Sequence, residues 1–110
     1  TLLEGDSFEH GPRRVLLVAT GYTENTAMGW KDEEKTTVGT NWGRPPSLVE
    51  AVAATIRFSR RGEQAALPTV YALDDRGQRA KQLSPSAAGE KVEVEIGAPN
   101  GTLWYEIEFK

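Results

Sequence analysis

Cysteine is absent from all 110 residues, which removes disulfide staples and thiolate metal sites. That absence does not fix a compartment, since many exported bacterial proteins also lack cysteine. Histidine occurs once, at His10, so a nucleophilic triad would have to gather its other members from elsewhere in space. No apolar run approaches the roughly 20 residues of a membrane-spanning helix, and no signal-peptide pattern is visible. A basic excess is missing too. The chain carries 13 Lys+Arg against 16 Asp+Glu, a formal net charge of −3, whereas nucleic-acid recognition needs a basic stripe. Neither nucleic acid nor a membrane is an expected partner. Internal repeats and low-complexity tracts are also lacking. The opening at Thr1 reads as that of a single domain, 1–110, excised or processed from a longer chain whose signal could lie upstream.

What is present is alternation and turn chemistry. At 110 residues the chain can bury roughly 65% of its unfolded surface and fold without staples. Thr1 to His10 is a short strand candidate, ended by Gly11-Pro12. Val15 to Thr20 is an unbroken apolar run, read as a central strand covered on both faces, with a buried helix as the alternative. From Gly21 to Pro46 periodicity is lost, apart from a possible strand over Thr36 to Thr40. A loop of that length is usually functional or covers something.

Ser47 to Ser59 is ambiguous. Ser47 and Glu50 form a capping box and the alanines favour helix. Against that, Val52, Ala54, Ile56 and Phe58 alternate with Ala53, Thr55 and Arg57 at a period of two. The alternation predicts a strand over Val49 to Ser59, followed by a solvated turn, Arg60-Arg61-Gly62-Glu63-Gln64. Leu67 to Leu73 and Gln78 to Leu83 read as two strands joined by the turn Asp74-Asp75-Arg76-Gly77. Ser84 to Gly89 reads as a loop. Glu90 to Ile96 and Leu103 to Phe109 alternate clearly and, across Pro99-Asn100-Gly101, predict an antiparallel hairpin with a wet acidic face. Together these features predict an all-β antiparallel sandwich, immunoglobulin-like or related, of about seven to eight strands.

Several residues are chemical candidates. Trp30 and Trp42 sit in the long loop. They could form a sugar platform, with Asn25, Asn41 or Arg44 bonding the hydroxyls. They could instead close over the sandwich as a small core, or pack on a neighbouring domain. Trp104 lies on the outward face of the last strand and is a further contact candidate. Asn25 suits a turn as well as a ligand. Asp32, Glu33 and Glu34 are consecutive, so their carboxylates diverge and predict a solvated turn rather than a metal site. No metal or other cofactor is expected. Glu106 and Glu108 share a strand face at a spacing compatible with glycosidase carboxylates, but nothing in the sequence indicates the burial that such chemistry requires. Asn100-Gly101-Thr102 matches a glycosylation sequon and equally suits a turn.

The run Gly21-Tyr22-Thr23-Glu24-Asn25-Thr26, then Met28-Gly29-Trp30, Thr37-Val38-Gly39, Trp42-Gly43 and Leu48 to Ile56, with the closing Leu103-Trp104-Tyr105-Glu106-Ile107, resembles the C-terminal β-sandwich of bacterial glycoside hydrolases with a (β/α)8 catalytic barrel. The resemblance spans the chain from Arg14 onward. It implies a non-catalytic accessory domain that packs on and stabilises the barrel of the same parent chain, that could also contact polysaccharide, and that works in an extracellular or periplasmic setting; the alternatives are a carbohydrate-binding module using the loop tryptophans and a cell-surface sandwich with a protein partner.

Overall fold

The computed structural model describes residues 1–59 and 66–110; the polar turn expected at 60–64 lies outside them. The described chain is all-β, with ten strands and one short 3-10 turn at Ala98–Asn100. Every strand pair is antiparallel. Two compact units result. One comprises Thr1–Ala19 with Ala51–Lys110, and the other comprises Thr20–Glu50.

The first unit is a β-sandwich. Its larger sheet holds β1 (Leu2–Gly5), β2 (Pro12–Val18), β10 (Trp104–Glu108), β6 (Thr69–Leu73) and β7 (Arg79–Leu83), in that spatial order. Its smaller sheet holds β5 (Ala54–Ser59), β9 (Lys91–Ile96) and β8 (Ser86–Ala88). Alternate side chains of both sheets meet in one core. Val70, Ala72, Leu83, Tyr105 and Ile107 come from the larger sheet, and Val94 and Ile96 from the smaller. Phe58 of the smaller sheet meets Phe109, just beyond β10, edge to face with centroids 5.6 Å apart. Full burial of a side chain such as Val70 contributes about 1.5–3 kcal/mol.

The expected hairpin of the last two alternating strands does not form. β9 pairs with β5 and β8, whereas β10 pairs with β2 and β6. The turn through Pro99 therefore carries the chain from one sheet to the other. Both strands have one dry face, and the two dry faces look at each other across the core. Alternation reports that a face is dry but not which strand lies beside it. Tyr105 ties this crossing together. Its hydroxyl donates to the Thr102 carbonyl (3.2 Å) and accepts from Gly97 N–H (3.3 Å), just past β9.

The expected strand over Val49 to Ser59 is split. Val49 ends β4 (Arg44–Val49) and β5 begins at Ala54. The phase was legible: Ala54, Ile56 and Phe58 are half-buried while Thr55, Arg57 and Ser59 are exposed. The capping-box helix does not form, because Ser47 pairs in β4, where its hydroxyl donates to Asn25 Oδ1 at 2.6 Å. The turn Asp74 to Gly77 closes the β6–β7 hairpin as expected. Asp74 Oδ1 accepts the N–H groups of Arg76 and Gln78, at 2.9 and 2.8 Å. Ser86–Ala88, expected as loop, is a short edge strand on β9.

β2 has neighbours on both sides, as its apolar run suggested, and both of its faces are partly covered, with Leu16 half-buried like Val15 and Leu17. Val15 and Leu17 pack on the core, while Val18 is 49% exposed. The outer face also corrects the expectation of a simply wet, acidic β10. Glu106 is buried there, between Arg14 (2.9 Å) and Arg79. Arg79 reaches Glu108 as well, at 3.3 Å, and stacks over the Tyr71 ring at 4.1 Å. Burial pushes the Glu106 carboxyl up. Hydrogen bonds from Arg14 and Arg79, together with their charges, outweigh this and hold it below the usual carboxylate range. A glycosidase general acid needs the opposite shift, so Glu106 is unsuited to that role.

Replacing Tyr105 by Phe removes the acceptor for a buried N–H and is expected to cost about 1–3 kcal/mol. Urea unfolding followed by far-ultraviolet circular dichroism measures it, with an unchanged midpoint refuting the role of the hydroxyl as a strut.

Candidate functional site

The second unit is built on β3 (Thr23–Thr26) paired with β4, Thr23 opposite Val49 and Asn25 opposite Ser47. Neither strand was legible as such. β3 is wholly polar, and β4 contains Pro45 and Pro46, which are joined by a cis bond. Proline is tolerated here because each strand of a two-stranded sheet keeps one edge free of ladder bonds. Thr36 to Thr40, the expected strand, is irregular.

The connection between the two strands is a closed loop. Gly29 N–H donates to the Asn41 carbonyl at 3.1 Å and Lys31 N–H to the Thr37 carbonyl at 2.9 Å. These bonds carry the hairpin outward beyond the strands. Two glycines permit it. A Cβ on Gly29 would collide with the Asn41 side chain. Gly43 has φ +72, and a Cβ there would sit 2.6 Å from the Thr26 carbonyl oxygen. The non-glycine residues with positive φ among the described residues, Ala27 (55) and Lys35 (57), both lie in this loop. Strain of this kind tends to concentrate where a loop is held in one shape for a purpose.

The loop encloses a groove of about 270 Å³ lined by Met28, Trp30, Thr37, Val38, Gly39 and Trp42. Trp30 and Trp42, singled out from sequence, are thus brought to one site, with different standing. Trp42 is 64% exposed. Trp30 is half-buried, and its indole N–H donates to Glu24 Oε2 at 3.0 Å. Trp30 is a wall; Trp42 is a lip.

Glu24 is the residue that sequence reading passed over. Its Oε2 accepts from Trp30, from the Tyr22 hydroxyl at 2.8 Å and from Lys35 Nζ at 3.2 Å. Lys35 also stands 4.3 Å over the Tyr22 ring, which packs 6.0 Å from Trp30. Tyr22 and Glu24 lie two residues apart, the spacing that puts side chains on one face of a strand. A period-two reading of Tyr22 to Thr26 would have paired them. The Trp30 hydrogen bond, then those from Tyr22 and Lys35, hold the Glu24 carboxyl below its ordinary value.

The polar candidates serve the loop itself. Asn25 donates from Nδ2 to the Trp42 carbonyl at 2.9 Å and accepts from Ser47 at its Oδ1. Asn41 Oδ1 accepts Gly43 N–H at 3.4 Å. Arg44 opens β4, exposed, opposite Thr26. Asp32 closes the acidic turn by accepting the backbone N–H of Thr36 at 2.7 Å and the Thr36 hydroxyl. These same bonds, the hydroxyl's first, lower its pKa. No group of acids and histidines that could hold a metal ion occurs among the described residues.

Trp104 belongs to the sandwich unit. It is 39% exposed on β10, opposite Val18, and borders a depression with Leu3, Leu16 and Asp75. His10 meets Ser7 Oγ at 3.3 Å through Nδ1, but that hydroxyl also accepts His10 N–H at 2.9 Å, as in a simple turn. Asn100 ends the 3-10 turn and accepts from Lys81 Nζ at 3.3 Å. The chain matches no protein-family model, no curated protein and no solved structure.

The lowered pKa of Glu24 fixes the sign of an acid response. Its stabilisation of the Trp30 wall is fully present above the unfolded carboxylate value of about 4.3. It is lost as pH falls through the lower folded value. Near-ultraviolet circular dichroism should therefore show an acid transition in the tryptophan bands that Glu24→Gln lacks. Superimposable titrations of the two proteins would contradict the assignment.

Proposed function

We propose that this chain is a non-catalytic, carbohydrate-binding accessory module of a glycoside hydrolase, and that the Trp30–Trp42 groove is its sugar site. What supports the reading is one observation. Two indoles from opposite arms of a closed loop line the same groove, and the outer one is largely open to solvent. A pyranose has an apolar C–H face and a polar rim. An indole face desolvates the former, and hydroxyls and backbone groups nearby meet the latter. Trp30 cannot offer its N–H to a ligand, because Glu24 holds it, so its contribution is shape. The resemblance to glycoside-hydrolase sandwiches supplies the parent.

Affinity electrophoresis of the protein through gels containing individual polysaccharides tests this. Retardation on at least one glycan is expected. Trp42→Ala should weaken it by roughly tenfold, equivalent to about 1.4 kcal/mol. No retardation on any glycan would refute the proposal.

A second reading, docking on a catalytic barrel, is favoured by the outer face of the five-stranded sheet. There Leu3 (48%), Val18 (49%) and Trp104 (39%) are exposed, with Val18 and Trp104 directly opposite each other. Exposed apolar residues gathered on one sheet face mark an interaction surface. Trp104→Asp should then abolish co-purification with the parent's catalytic domain and leave glycan retardation unchanged; retained co-purification counts against it.

A further inference from the structure

The sandwich unit is closed on one side and open on the other. The core residues of β6, β7, β9 and β10 are buried. The hydrophobic residues that pack on them only partly buried, among them Val15, Leu17, Ile56, Phe58 and Phe109, all belong to β2, β5 or the residues just past β2 and β10. These five and Phe8 line an open slot of about 640 Å³ between the two sheets. It exists because five strands face three. β5, the last strand of the smaller sheet, lies across the slot from β2 and Phe109, so β1 extends beyond it with no strand opposite among the described residues.

The edges of the sandwich differ in how they are guarded. An exposed strand edge invites a further strand, and bulges, shortness or charge blunt it. β1 pairs with β2 through register shifts, β7 carries Arg79 and Lys81 beside a register shift, and β8 is three residues long. β5 has none of these devices. Its six residues, Ala54–Ser59, pair with β9 in unbroken register and include neither proline nor glycine. Its one charge, Arg57, bonds Glu93 at 2.6 Å, and the Thr55 hydroxyl bonds Glu95 at 2.6 Å, so both lean toward β9 and away from the edge. The backbone groups of β5 on the side away from β9 have no partner strand among the described residues.

We propose that the β5 edge receives an extended segment of a partner polypeptide as a fourth strand of the smaller sheet. The backbone of the segment meets the free groups of β5, and every second side chain enters the slot. About six residues, roughly 20 Å, match the length of β5 and put about three side chains inside. Those inside are apolar, as the lining demands. The alternate ones face solvent beside Thr55 and Arg57 and are polar. A second copy of this chain does not fit. Strands pair about 4.8 Å apart, and at that spacing the β1 overhangs of two copies joined antiparallel at β5 would collide. The occupant is therefore a lone segment rather than the edge of another sheet.

A tethered segment tests this. About eight alternating valine and threonine residues are appended after Lys110, which stands at the mouth of the slot, through a flexible linker of about ten glycine and serine residues that sets a local concentration on the order of millimolar. Amide hydrogen exchange should slow at least tenfold at alternate residues of β5 and stay unchanged in β7. A tail of the same composition, with its valines grouped ahead of its threonines, should give no such protection. Ile56→Trp, which fills the slot without adding charge, should abolish the effect of the alternating tail. Leu17→Trp fills it from the facing sheet and serves if the first variant does not fold. No slowing in β5 with the alternating tail, equal slowing with the grouped one, or full protection in a folded tryptophan variant overturns the proposal. So does a dimer of the untailed protein, seen by sedimentation, in which β5 is already protected.

Discussion

The central strands of the sandwich unit turn alternate side chains toward one shared interior. That constraint places Val70, Val94 and Tyr105 in contact although they come from different sheets. It also explains why β9 and β10, neighbours in the chain, part company. A strand with one dry face is satisfied equally by a partner beside it or a sheet opposite it. The deciding feature is the stretch between them, in which a 3-10 turn and the left-handed Gly101 redirect the chain. Tyr105 then bonds across the crossing to Gly97 and Thr102, so a single aromatic residue packs the core and holds its most abrupt connection.

The sheet's other face follows a different rule. Glu106 points away from the core yet is buried, because Arg14 of the adjacent β2 and Arg79 of β7, one strand beyond β6, fold over it. In sequence Arg14 and Arg79 are 92 and 27 positions away from it. Nothing local marks Glu106 as different from Glu108. Charge alternation on a strand says only that a face is polar, and long-range pairing decides whether a given carboxylate is solvated or enclosed.

What was legible thus divides along a physical line. Period-two alternation revealed β5, β9 and β10, and a continuous apolar run and a β-branched, aromatic run bounded by turns revealed β2 and β6, because the burial that shapes these patterns leaves a local mark. The polar β3, the proline-bearing β4 and the three-residue β8 were missed, because their extension depends on partners rather than on burial. The site behaved likewise. Trp30 and Trp42 were visible as large aromatics in an aperiodic loop, and the structure brings them to one groove. Asn25 and Asn41 were visible as polar groups, but their amides turn inward to hold the loop. Glu24, the organising carboxylate, was hidden by its ordinariness.

The hairpin unit raises a question of order that the sandwich does not. An isolated two-stranded sheet is marginal in water, and Val38 is this unit's buried hydrophobic residue. Its definition must come largely from polar bonds of specific geometry. Asn25 joins β3 to Trp42 and Ser47, Thr26 donates to the Pro46 carbonyl at 2.8 Å, and Glu24 gathers Tyr22, Trp30 and Lys35. Each such bond contributes modestly when exposed to solvent, but the bonds share members, so losing one loosens several. A groove built this way is pre-shaped without being rigid. Its Trp30 wall is fixed by a titratable carboxylate, whereas the lip at Trp42 is held through its carbonyl by the Asn25 amide and followed by the left-handed Gly43.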